Sequence, residues 1–104
     1  MTTDRNDELI FVNRFTLAHG DPERFIEVFD NVAKPLQDNE ALRGFTLVQS
    51  LTDPLDVMNI AEWTSEAELR RATATDEFTQ HARALQELAT SAHTLYRPRL
   101  RFRR

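Results

Sequence analysis

The sequence predicts an α+β domain, a four-stranded antiparallel sheet covered on one face by helices in the split β-α-β order of ferredoxin-like folds. Three observations carry this. Apolar residues alternate with a period of two in four stretches, and they recur at three and four in two others. These segments follow one another as β-α-β-β-α-β, and no linker, internal repeat or low-complexity segment interrupts them. The 104 residues suit a single domain over 1–104, with 1–8 expected as a flexible N-terminus. A chain of that length buries about two thirds of the surface it exposes when unfolded.

The first strand is "LIFVNRFTL", residues 9–17, rich in β-branched and aromatic residues. "HGDP" ends it and opens a helix, with Asp21 as N-cap and Pro22 at the first helical position. Phe25, Val28, Phe29, Val32 and Leu36 form its apolar stripe, and Lys34-Pro35 should loosen its end. "GFTLVQSL", 44–51, is the second strand, "TDPLD" a turn, and 57–64 the third strand. Ser65 and Glu68 fit a capping box for a short helix. A longer helix restarts at "TATDEF", with Phe78, His81, Ala82, Leu85 and Leu88 on one stripe, and residues 94–102 are read as the fourth strand.

Composition removes several classes of function. With no cysteine there is no disulfide or thiolate chemistry, and a cytoplasmic location is expected. The charged "MTTDRNDE" lacks the apolar core of a signal peptide, and no apolar run is long enough to span a bilayer. No membrane partner is therefore expected. Net charge is −4, but five of the 13 basic residues fall in "RPRLRFRR". An anion or nucleic-acid grip is one reading of that tail. The period of two and the acidic remainder favour the other, a strand with Arg97, Arg99, Arg101 and Arg103 facing solvent or an acidic neighbour and Leu100 and Phe102 facing inward. No nucleic-acid partner is expected. The histidines lack metal-ligand spacing, and neither a phosphate loop nor a serine nucleophile motif occurs, so no metal is expected.

Two strands carry an anomaly. Phe11, Asn13 and Phe15 share one face of the first, and Val57, Asn59, Ala61 and Trp63 one face of the third. In the split β-α-β topology these strands are central neighbours, so both carboxamides lie under the helices. A buried amide without partners costs roughly 1–3 kcal/mol. Either local backbone or water satisfies the pair, or a ligand does, in an apolar pocket with a few converging polar groups. The opposite face carries Ile10, Val12, Met58 and Ile60, too apolar to leave wet, and a second copy of the chain packed sheet against sheet would cover it. A homodimer is expected, with Arg14 and Glu62 pairing across the central strands. His81 is a candidate general base or orienting donor, or else a satisfied core histidine. His19 and His93 are read as surface residues.

"FVNRFTL", "GF", "NIAEW" and "DEFTQHARALQELATS" resemble the antibiotic biosynthesis monooxygenase family over nearly the whole chain. Within it the sequence is most similar to the small cofactor-independent anthrone or anthraquinol oxygenases of aromatic polyketide pathways. That resemblance implies a dimeric α+β barrel, no cofactor, and a polycyclic aromatic polyketide and dioxygen as substrates. It assigns the activity to Asn13, Asn59 and Trp63, in a pocket expected to take in Phe11, Phe15, Phe29, Phe78 and His81. Other members of the superfamily set rival expectations. Haem-degrading relatives use a tryptophan whose position falls near Ala72 here. Ring-cleaving relatives use reduced flavin, and a non-catalytic binding or assembly module is a third reading.

Overall fold

The computed structural model describes residues 8–18 and 20–104. The expected flexible N-terminus lies, apart from Glu8, outside the described residues, as does His19. The strands are β1 (Leu9–Leu17), β2 (Leu42–Gln49), β3 (Asp56–Trp63) and β4 (Ala89–Tyr96), and the helices are α1 (Pro22–Ala33), α2 (Glu66–Thr73) and α3 (Asp76–Gln86). The sheet is antiparallel with order β2-β3-β1-β4, so β1 and β3 are the central pair.

Local chemistry sets the helix starts. The Asp21 carboxylate accepts from the Arg24 N–H at 3.1 Å, and Pro22 fills the first helical position of α1. Ser65 Oγ accepts from the Glu68 N–H at 3.2 Å and Thr75 Oγ1 from the Phe78 N–H at 3.1 Å. Each satisfies one of the four donors a helix N-terminus leaves free. Pro35 cannot continue α1, and a 3-10 turn, Pro35–Asp38, leads the chain toward β2.

The fourth strand departs from the sequence reading. It covers Ala89–Tyr96 rather than 94–102, and it begins three residues after α3 ends. Pro98 has no N–H to give a ladder, so pairing stops before it, and residues 97–104 take no regular structure. The alternation of arginines is therefore not a strand's. Leu100 and Phe102 are exposed rather than inward. Arg101 and Arg103 do meet an acidic neighbour, at 3.5 and 3.6 Å from the Glu62 carboxylate.

A second correction concerns Arg14. In the β1–β3 register it stands opposite Met58, whereas Glu62 stands opposite Ile10, so the two lie too far apart along the strands to pair. Arg14 instead grips Asp56 with two bonds, Nε to Oδ1 at 2.9 Å and Nη2 to Oδ2 at 2.6 Å. That grip holds the Asp56 carboxyl below the usual range and raises the Arg14 guanidinium.

Strand β2 contains a bulge. Leu42 faces Trp63 and Gly44 faces Glu62, leaving Arg43 as the extra residue. The sheet's open face carries Ile10, Val12, Met58 and Ile60, all partly exposed, with Val48 and Tyr96 exposed beside them.

The helix-covered face holds two apolar clusters. One gathers Phe15, Phe25, Phe29, Val32, Val57 and Leu85, the other Leu9, Ala61, Trp63 and Leu69. Phe25 and Val57 are the most completely enclosed large side chains. Each fully buried side chain of this kind contributes about 1.5–3 kcal/mol over leaving it in water.

Candidate active site

Between those clusters lies one rung of the central ladder, and it is Asn13 opposite Asn59. The next rung on the chamber face in one direction is Phe15 opposite Val57, and in the other Phe11 opposite Ala61. The core divides here because a carboxamide cannot be packed over by methyl groups without losing its hydrogen bonds. Neither side chain has a hydrogen-bond partner among the described residues, and both Oδ1 atoms are sealed from solvent. Both residues line the space between the sheet and the helices.

That space is a chamber of about 500 Å³. It suits a drug-sized aromatic ligand, for which pockets of about 300–1,000 Å³ are usual. Its walls are mostly apolar. Phe11, Phe15, Phe29 and Phe78 line it as expected, with Phe45 and the Trp63 ring. The nearly enclosed Trp63 belongs to the second cluster and presents part of its indole to the chamber. Arg70, Gln86, Ser91, His93 and Leu95 are the exposed members of the lining and mark its mouth, along β4 and the helices that cover it.

The histidines exchange places relative to the sequence reading. His81 is exposed on α3 and lies outside the chamber lining, because the wall of that helix is made by Phe78, Ala82 and Leu85. The stripe is narrower than the sequence pattern implied. His93 lies within β4, opposite Asn13 in the register, and its ring stands 5.6 Å from that of Phe11. Reading a strand at 94–102 hid this, since it left His93 outside the ladder. With β4 placed at Ala89–Tyr96, parity puts Ser91, His93 and Leu95 on the chamber side. Arg70 and Phe45 were also missed. Among the described residues no cluster of three His, Asp or Glu side chains could hold a metal, and no helix is long and apolar enough to cross a membrane.

The chain matches the sequence model of antibiotic biosynthesis monooxygenases over residues 9–84. Deoxynogalonate monooxygenase of Streptomyces nogalater is 40% identical to it over 93 residues, 89% of this chain and 78% of that protein. The crystal structure of SnoaB, a cofactor-independent oxygenase from Streptomyces nogalater, superposes with a TM-score of 0.85 at 39% identity, covering 91% of this chain and 96% of that one. A conserved protein from Methanosarcina mazei Go1 superposes at 0.82 with 16% identity over 92% and 97% of the two chains, a likeness of fold alone.

Proposed function

The chain belongs to the antibiotic biosynthesis monooxygenase family, and from that premise we propose that it is a cofactor-independent monooxygenase oxidising an anthrone-type aromatic polyketide to a quinone with dioxygen. The observation that carries this reading is the pair Asn13 and Asn59, unpartnered among the described residues and lining one mostly apolar chamber.

Dioxygen is a ground-state triplet, so its direct reaction with a closed-shell molecule is spin-forbidden. A deprotonated anthrone escapes that restriction because it is electron-rich enough to give one electron to oxygen. The resulting superoxide and carbon radical recombine to a peroxide. Loss of water from the hydroperoxide leaves the carbonyl, one oxygen atom in the quinone and one in water. The protein's part is to bind the planar polycycle, favour its anion and keep water out. Asn13 and Asn59 donate to the oxyanion. Their donors are worth more here than in water, because the surrounding phenylalanines lower the local dielectric. Trp63 serves as a stacking wall or as an indole donor, and Phe11, Phe15, Phe29 and Phe78 grip the rings.

The enzyme acts as a homodimer in this reading. The open sheet face is supported as the interface by the apolar side chains of Ile10, Val12, Met58 and Ile60 that it leaves partly exposed. Oxygen uptake by purified protein, dialysed against chelator and free of flavin, tests the activity with an anthrone such as dithranol. A rate well above the spontaneous oxidation, with quinone formed per oxygen consumed, is expected. No rate above the blank with any anthrone or naphthol overturns the assignment.

A further inference from the structure

The asparagine rung continues one strand further, and its third member is ionisable. His93 on β4 pairs with Asn13 on β1, which pairs with Asn59 on β3, so three polar side chains cross in one line a chamber face whose other strand residues, Ser91 apart, are apolar. Adjacent strands lie about 5 Å apart. His93 is therefore one strand spacing from the nearer amide, and it lines the same chamber at its open side with its ring against Phe11. The amides can hold an oxyanion but cannot take a proton, whereas an imidazole can.

We propose that His93 is the general base that deprotonates the substrate carbon, an inference that rests on the oxygenase reading above. An anthrone carries its acidic methylene opposite its carbonyl, across the central, non-aromatic ring. With that oxygen at the Asn13–Asn59 pair, the methylene points along the rung toward β4. The unprotonated imidazole takes one methylene proton, and the electron pair left behind passes to the oxyanion held by the amides. After oxygen adds, the imidazolium returns the proton to the peroxide. The base then takes the second proton from the same carbon, the O–O bond breaks, and the departing hydroxide receives that proton as water. His93 ends unprotonated, and no further reductant is consumed.

Few charged groups face it. The β1 residues facing it, Phe11 and Asn13, do not ionise, and β4 is the edge of the sheet. Of the helix residues lining the chamber only Arg70 is charged; it is exposed and bonded to Glu66 at 2.9 Å.

The test compares wild type, His93→Gln and His93→Ala by oxygen uptake with dithranol across the neutral range, corrected for spontaneous oxidation. In wild type, kcat/KM should rise with pH through one ionisation. In His93→Gln that ionisation should vanish and kcat should fall roughly a hundredfold to ten-thousandfold, the usual worth of a general base. Added imidazole should restore part of the rate to His93→Ala. Because His93 is exposed on an edge strand, both variants should fold, and unchanged circular dichroism and quinone binding verify it. An unaltered pH profile in His93→Gln, at any rate, overturns the proposal and leaves the oxygenase reading standing. So does a loss of rate that imidazole does not restore. A wild type without activity overturns the oxygenase reading, and this inference with it.

Discussion

Replacing Asn59 by leucine should make the protein more stable and far less active. The Asn59 Oδ1 is sealed from solvent and accepts nothing from the described residues, so the folded state carries the desolvation of that atom uncompensated. An unsatisfied buried acceptor costs about 1–3 kcal/mol, and an apolar group of similar shape removes the cost. A gain of about 1 kcal/mol in a domain of this size moves Tm by about 4–8 °C. Leucine is the better probe of stability than alanine, which would leave a cavity with its own penalty. In the opposite sense, loss of one oxyanion donor lowers kcat roughly a hundredfold to a thousandfold. KM should change little if the bond forms mainly in the transition state. Thermal unfolding at fixed protein concentration gives one half of the result and oxygen uptake with dithranol the other. Fixed concentration matters because the proposed dimerisation would link stability to it. The Asn13→Leu, Asn59→Leu double variant should not be additive, since the two residues are direct cross-strand neighbours. A destabilisation of 1 kcal/mol or more in Asn59→Leu, at the about-1-kcal/mol level ordinary for point changes, would refute the reasoning. It would mean that the amide supports the fold rather than a ligand.

Three further outcomes are expected. Ile60→Asp should dissociate the proposed dimer or unfold it, because a charge without a partner would be buried between sheets; light scattering at micromolar concentration reads this, and an intact dimer excludes that face as the interface. Trp63→Phe should retain most of the activity if the ring stacks, since a phenyl keeps a π-face, and should lose as much as Asn59→Leu if the indole N–H donates. For the Arg14–Asp56 pair the sign follows from the lowered carboxyl. A carboxylate whose pKa falls on folding stabilises above its unfolded value, and that stability is lost as pH falls through the folded value. Asp56→Asn should therefore be less stable than wild type in neutral urea titrations, with the gap closing in acid; a gap independent of pH contradicts the ion pair.

Much of this architecture was legible because short-range rules agreed with one another. Strand β1 was read over its full observed span, Leu9–Leu17, because apolar alternation and the "HGDP" stop coincide. The starts of α1, α2 and α3 followed from Asp21, Ser65 and the "TATDEF" restart, each tied to a capping side chain. The asparagine rung needed only parity and topology, since both residues sit mid-strand on neighbouring strands. Strand β4 was misread for a physical reason. As an edge strand it is exposed at seven of eight positions and has no apolar alternation of its own. Its place is fixed by hydrogen bonding to β1, a long-range pairing that no local pattern records. His93 was lost with it. His81 was misplaced because a stripe at helical spacing gives the direction of a side chain only to within part of a turn, and an exposed flank looks like a buried one.

The bulge at Arg43 has a consequence for how one end of the chamber is closed. In a regular strand Leu42 and Gly44, two apart, would share a face; the extra residue inverts the parity, so Leu42 joins Trp63 in the chamber wall while Gly44 lies on the open side. Were the ladder to run back from Gly44 without the bulge, Arg43 would stand opposite Trp63 and Leu42 would turn to the open side, so that a longer, charged side chain would fill that end of the chamber. Removing Arg43 would instead leave Leu42 opposite Trp63 and the wall as it is. The extra residue therefore decides which of two neighbours closes the chamber there.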